Sequence, residues 1–593
     1  MTNYETCPSL TRMFFDQAER LAEKPLLWAK RDGTYRPITW REVAEQIRGL
    51  AAGLKALGLE RGERVVLVSE NRPEWLVADL AIMAAGGITV PAYTTNTSAD
   101  HTHILGDSGA AGAIVSTAAL AKRLLPAAAE SESCRWTVAL EPPAEGIEGC
   151  DLVSWADCLT RGQGAADSGI PATAGRDDLA CFIYTSGTGG APKGVMLSHG
   201  NILANCKGAY HLLESFGLGA EVFLSFLPLS HSYEHTAGQF FPLSIGAEIY
   251  YAESIEKLID NLGESRPTVM TAVPRLYETM HQRIRRGVEK QGGFKKTLFD
   301  QTLALGLKAA EAPESLGAFE RLKNRLLDRL VRKKILQRFG GRLKGMVSGG
   351  AALNPEIGLF FTALGVPVLQ GYGQTEASPV VSANPPGKVK MRSVGPPMEG
   401  VEVKIAEDGE LLVRGDLVMK GYWQNPGATA EAIRDGWLHT GDIAELDHEG
   451  YITITDRKKD IIVLSGGDNV SPARLEGMLT LQPEIGQAMV IGDKRPHLVT
   501  LIVPDPDFVT NWAREHGKAD DLATLAEDAD FRASIGKVVE EVNAGLSNLE
   551  RIRRFAIADE AFSVENEMMT PTLKIRRHII KATYGERLEA LYR

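Results

Sequence analysis

A short apolar run, Leu179, Cys181, Phe182 and Ile183, leads straight into Tyr-Thr-Ser-Gly-Thr-Gly-Gly-Ala-Pro-Lys-Gly-Val over residues 184–195. Four glycines, three Ser or Thr hydroxyls and one lysine restrict what such a segment can do. Glycines let successive backbone N–H groups turn toward one anion, hydroxyls add donors, and Lys193 adds positive charge. The expectation is a polyphosphate cradle at the end of a strand. It is not a Walker A loop. Counting from Gly187, Pro192 stands where that motif needs Gly, and Gly194 where it needs Ser or Thr.

The rest of the chain supplies the sheet that such a loop requires. Val43, Ile47, Leu50, Leu54 and Leu57 recur at helical spacing and predict a helix ending near Gly58. A strand at Val65-Val-Leu-Val68, a helix through Trp75 and Leu80, and a strand from Ile88 to Pro91 follow. This βαβ alternation predicts a parallel sheet covered by helices. It resumes after a looser Gly/Ala/Asp-rich segment (161–176) and continues to about residue 380. Over 401–454 the pattern becomes short strands with Gly and Asp turns, predicting a small β-rich subdomain. Beyond Asp460 a separate unit is expected: a strand at 461–464, a helix at 472–481, and strands at 488–491 and 499–503.

Composition removes several classes of function. A length of 593 residues suits three or four domain-sized units, and 44% hydrophobic with 24% charged residues suits a soluble globular protein. A net charge of −11 opposes general nucleic-acid binding. The most apolar segment, 75–93, is broken by Asp79 and by Gly86-Gly87, so it reads as a buried helix and strand, not a membrane span. No basic n-region with an apolar h-region opens the chain, and the six cysteines have neither metal-ligand nor disulfide spacing. Both observations suit a reducing cytoplasm, with peripheral contact at the inner membrane surface left open.

Further segments accompany the loop in order: Leu227-Pro-Leu-Ser-His231, Gly371-Tyr-Gly-Gln-Thr-Glu376, Trp437-Leu-His-Thr-Gly-Asp442, Asp456-Arg-Lys-Lys-Asp460 and Thr570-Pro-Thr-Leu-Lys574. Together they resemble the acyl-adenylate-forming enzymes, and most closely the AMP-forming long-chain fatty-acid–CoA ligases, over nearly the whole chain. The resemblance implies an α/β fold with a large N-terminal domain (1–457) of two parallel-sheet subdomains and a β-rich subdomain (about 395–457). A mobile, smaller α+β C-terminal domain (458–593) would follow. It also implies ATP, Mg²⁺ and CoA as reactants or cofactor, and a fatty acid as substrate.

By the same resemblance, Thr185, Ser186, Gly187, Thr188, Gly190 and Lys193 would hold the β- and γ-phosphates. Thr375 would contact the α-phosphate and Glu376 would be the Mg²⁺ ligand. Tyr372 with Gly373 would stack on adenine beside a wall containing Gly349 and Ala351. Asp442 would accept the ribose hydroxyls, with Arg457 as a second contact. Lys574 would bridge the substrate carboxylate and the α-phosphate. The hinge would be Lys459, and after rotation Ser465, Gly466 and Gly467 would line the CoA tunnel. His231 falls where acyl and pantetheine tunnels meet, or else is a buried structural histidine.

The chain departs from the pattern at Gly189, where the family usually has Thr or Ser, and at the aromatic gate, which by offset falls at His235 with Tyr233 nearby. The helical segment 281–344 is rich in Lys and Arg. It suits a solvated face, the phosphates of CoA, or an anionic membrane surface. Homo-oligomerisation stays open. Other readings are a fatty-acyl-AMP ligase serving a carrier protein, a peptide-synthetase adenylation module, whose usual adjoining carrier domain is not seen before Arg593, and a non-catalytic nucleotide- or lipid-binding protein.

Overall fold

The computed structural model describes residues 2–143, 148–163, 174–185, 191–570 and 574–593. Two large sheets lie at its centre. In one, strands Arg64–Val68, Ile88–Ala92, Gly112–Val115, Trp136–Ala139 and Asp151–Ser154 are parallel, and Leu179–Thr185 joins them parallel to Ile88–Ala92. In the other, Pro25–Arg31, Glu248–Tyr251, Val222–Ser225, Val269–Ala272, Gly345–Ser348 and Val368–Gly373 are parallel, with antiparallel strands at both edges. Parallel strands are buried on both faces, which explains why runs such as Val65-Val-Leu-Val68 show no alternation.

The helices form where the sequence allows them to start and stop. Thr39 accepts the Glu42 backbone N–H while the Glu42 carboxylate accepts that of Thr39, capping helix Trp40–Ala56. Its apolar stripe, Val43, Ile47, Leu50 and Leu54, is fully buried. Helix Pro73–Ala84 is buried on nearly every side, Asp79 included. That is why its sequence is apolar on every face apart from Glu74 and Asp79.

Strands Glu402–Ile405, Glu410–Arg414, Trp437–Leu446 and Ile452–Arg457 form an antiparallel sheet with its own apolar cluster. The C-terminal unit contains a three-stranded sheet, Ile485–Ile491, Leu498–Pro504 and Ile552–Ile557, packed on helices including Pro472–Leu479, Ala529–Ala544 and Arg577–Ala590. Several boundaries differ from the sequence expectation; the strand expected at 488–491 begins three residues earlier, at Ile485. The strand expected at 461–464 is only Ile462–Val463, paired with Asn469–Val470, because the chain turns at once through Gly466-Gly467. The helix expected to reach residue 481 ends at Leu479, capped by Thr480.

Candidate active site

Strand Leu179–Thr185 folds back as Lys193–Ser198, with Thr185 opposite Lys193. The tip holding Ser186, Gly187, Thr188 and Gly190 lies outside the described residues. Its stem is anchored by Gly421–Tyr422, which adds antiparallel and sets Tyr422 opposite Val195. Lys193 Nζ stands 5.1 Å from the Tyr422 ring centroid, and the Tyr422 hydroxyl donates to Glu376 Oε1 at 2.8 Å. A cation, a ring face that attracts it and a carboxylate thus converge at the stem of the loop. Burial and the Glu376 charge push the Tyr422 phenol up, so it remains a donor.

Thr375 and Glu376 occupy the single turn Thr375–Ala377, between strand Val368–Gly373 and its antiparallel return Val380–Ala383. Thr375 Oγ1 lies 3.0 Å from Ser232 Oγ. Gly373 is required by contact: a Cβ there would stand 2.0 Å from the Pro379 carbonyl oxygen. Gly349 follows Gly345–Ser348 and accommodates the Tyr233 ring, whose Cζ would lie 2.9 Å from an added Cβ; Ala351 is exposed beyond it.

Tyr372 packs against the apolar cluster of the β-rich sheet, and its hydroxyl donates to Asp442 Oδ2 at 2.6 Å. Asp442 and Arg457 are cross-strand partners, with Arg457 Nε 3.3 Å from Asp442 Oδ1. Burial raises the Asp442 carboxyl above its usual range, while Arg457, the Tyr372 hydroxyl and Lys574 oppose this.

Lys574 reaches the cluster from the C-terminal unit. Its backbone is held in a small ring: Thr570 N–H donates to the Lys574 carbonyl at 2.8 Å, and Lys574 N–H donates to Thr570 Oγ1 at 3.1 Å. Burial and the Arg457 charge lower the amine to about 8, against the pull of Asp442 and Glu376. His231 is depressed to about 3 by burial and by the Lys574 charge. Its Nδ1 accepts the Tyr233 backbone N–H at 3.2 Å, which places the proton of the neutral ring on Nε2.

The structure therefore groups Lys193, Tyr422 and Glu376, then Tyr372, Asp442 and Arg457, with Thr375 on the turn that also carries Glu376. Lys574 lies within electrostatic reach of Glu376, Asp442, Arg457 and His231. Other residues sit apart. Lys459 is exposed in the turn after Ile452–Arg457, and Ser465, Gly466 and Gly467 form an exposed turn beyond it. His235 is fully buried, with Nε2 2.9 Å from Asp79 Oδ2, inside the π-helical segment Glu234–Phe240. Sequence reasoning missed Tyr422 and Ser232. The only local sign of Tyr422 is an aromatic pair after a glycine, and nothing near it shows that it pairs with a strand more than two hundred residues earlier.

Among the described residues no group of three or more His, Cys, Asp and Glu could hold a metal ion. Glu376 accepts from Tyr422 through one oxygen, and among the described residues the other makes no hydrogen bond. That donor set fits Mg²⁺, which takes one or two carboxylates and completes its shell with phosphate oxygens and water.

Residues 14–423 match the AMP-binding enzyme family, and residues 459–593 match the AMP-binding enzyme C-terminal domain. The chain belongs to the AMP-binding enzyme family. Among curated members, the protein named long-chain-fatty-acid–CoA ligase FadD15 of Mycobacterium bovis is 35% identical over 95% of this chain and 93% of its own length. Long chain acyl-CoA synthetase 6, peroxisomal, of Arabidopsis thaliana is 32% identical over 95% of this chain and 82% of its own. The adenylation domain of carboxylic acid reductase from Segniliparus rugosus, solved with AMP and a co-purified carboxylic acid, shares the fold. Its TM-score is 0.79 at 22% identity, covering 99% of this chain and 94% of that one.

Proposed function

We propose that this family member activates a long-chain fatty acid with ATP, releasing pyrophosphate, and passes the acyl group from acyl-AMP to CoA. The observation that carries the reading is Lys574, held among Asp442, Arg457 and Glu376 by a unit with its own core. A carboxylate is a poor electrophile, and two anions must meet for it to attack the α-phosphate. A cation aimed at their meeting point lowers that barrier, and loss of such a contact typically costs about 10²–10³ in rate. The choice of acid rests on the two relatives above, whose names specify long-chain acids.

In this reading Thr185, Lys193 and the loop tip hold the β- and γ-phosphates, and Thr375, steadied by Ser232, holds the α-phosphate. Asp442 exchanges its Tyr372 and Arg457 partners for the ribose hydroxyls, while the Tyr372 ring supports adenine. Mg²⁺ on Glu376 would neutralise charge on the phosphates. His231 is neutral and presents Nε2–H, so it orients a substrate through a hydrogen bond without adding charge. For thioester formation the C-terminal unit turns about Lys459, withdrawing Lys574 and bringing Ser465, Gly466 and Gly467 to the thiol path.

The deciding assay measures thioester formation with ATP, Mg²⁺ and CoA across acids from acetate to oleate, with Lys574→Ala alongside. Each methylene housed by an apolar tunnel gains about 0.8 kcal/mol, roughly fourfold in affinity. Activity that rises with chain length and collapses in the variant is expected. Adenylate without thioester would make the protein an acyl-AMP ligase, and no adenylate with any acid would overturn the reading.

A further inference from the structure

The basic segment has one face that the active site does not use. From Ala318 the backbone stays helical through Leu327, a π turn at Asp328–Arg332, and Lys333–Arg338. Its rotation is fixed from the inside. Leu327 is buried, and the buried Arg332 donates from Nε to the Ala363 carbonyl at 2.6 Å and from Nη2 to the Thr302 carbonyl at 3.1 Å. Ile335 and Leu336 pack against the same core.

With that side anchored, Phe319, Leu322, Leu326 and Leu330 point outward, 78%, 66%, 56% and 43% exposed. Their three- and four-residue spacing sets them in one stripe along the helix. Arg321, Arg325 and Arg329 form a second stripe beside it, and among the described residues none of the three makes an ion pair. Another exposed aromatic, Phe294, precedes Lys295 and Lys296 on the previous helix. Segment 281–344 holds 17 Lys and Arg against 6 Asp and Glu, in a chain whose overall charge is −11.

We propose that this helix docks on an anionic lipid bilayer, with Phe319, Leu322, Leu326 and Leu330 entering the headgroup–acyl boundary and Arg321, Arg325 and Arg329 meeting lipid phosphates. Isolated exposed leucines are ordinary, but a contiguous stripe of them needs an apolar phase. A soluble polyanion offers none. A second copy of the chain would bring its own unpaired arginines to the contact, and like charges would face one another. A bilayer of anionic lipid satisfies both stripes at once, as interfacial amphipathic helices do. Among the described residues no helix is long and apolar enough to cross a membrane, so the contact is peripheral.

The test is co-sedimentation of the full chain with vesicles of phosphatidylcholine alone or with phosphatidylglycerol added, in the absence of substrate, so that it stands apart from the choice of acid. Two triple variants accompany the parent: Arg321→Gln with Arg325→Gln and Arg329→Gln, and Leu322→Ser with Leu326→Ser and Leu330→Ser. All six side chains are exposed, and unchanged circular dichroism and melting serve as the folding control. Expected results are binding to anionic vesicles that weakens as salt rises, and a loss of about 10²-fold in the arginine variant. The leucine variant should also bind more weakly. Equal binding to neutral vesicles, absence of parent binding, or parent-like binding by both variants overturns the proposal. So does a concentration-dependent dimer that disappears in the leucine variant.

Discussion

Replacing Gly373 by alanine places one methyl group against backbone that cannot easily yield. The added Cβ would lie 2.0 Å from the Pro379 oxygen, 2.8 Å from its carbonyl carbon and 3.0 Å from Val380 Cα. Ordinary contact begins near 3.4 Å, so the two strands must separate by about 1.4 Å or twist apart. Gly373 is not among the positive-φ glycines, so the conflict is one of space, not of backbone conformation. Separation also strains the Gln374 N–H bond to the Pro379 carbonyl, 3.0 Å long, which closes the turn carrying Thr375 and Glu376. Overpacking of this kind costs about 1–3 kcal/mol of stability. A displacement of about 1 Å in positioned groups costs about 10²-fold in rate. The expected outcome for Gly373→Ala is a fall of about that size in kcat for pyrophosphate release, with a folded chain by circular dichroism. Gly371→Ala meets Ser382 O at 3.0 Å and Ala383 Cβ at 3.2 Å, and should lose less. A Gly373→Ala enzyme within twofold of the parent would refute the steric argument.

Two further outcomes follow from charge. In its proposed role Lys574 must be protonated to stabilise the reacting anions, and its amine is lowered to about 8; the charged form is lost as pH rises through that value. In the free enzyme kcat/KM for adenylation should therefore decline above about pH 8, and a flat profile to pH 9.5 would remove Lys574 from that role. Arg286, on helix Pro274–Gln291, bonds Asp505 at 2.6 Å and also pairs with Asp507, both in the C-terminal unit. Half-exposed pairs contribute about 0.2–1 kcal/mol. Arg286→Ala should thus slow adenylate formation by no more than about fivefold in single-turnover assays, and a loss beyond tenfold would mean that the contact does more than hold the unit in place.

What the sequence disclosed depended on how local the cause was. The parallel sheets were legible because Val65-Val-Leu-Val68 and the flanking helical periodicities are short-range patterns, each dictated by burial on the spot. The strand stem with Thr185 and Lys193, and the Tyr372–Glu376 stretch, announced themselves through glycines that close approach requires. Tyr422 and Ser232 did not, since their partners, strand residue Val195 and the turn residues Glu376 and Thr375, lie far away in the chain and no residue beside them carries the sign of that pairing. The same holds for Arg286, whose basic neighbours suggest only a charged face. The exposed stripe of Phe319, Leu322, Leu326 and Leu330 reads in sequence as an ordinary core-facing stripe. Only the inward anchoring of Leu327 and Arg332 shows that it faces the other way.

Lys574 belongs to a unit with its own core, while the proposed phosphate, adenine and ribose contacts all belong to the larger part of the chain. If those proposed roles hold, holding the nucleotide and reacting it are separable tasks. A fragment cut before Lys459 would keep every proposed nucleotide contact except the one that pushes the reaction forward. Such a fragment would act as a sponge for ATP, binding it and releasing it unaltered.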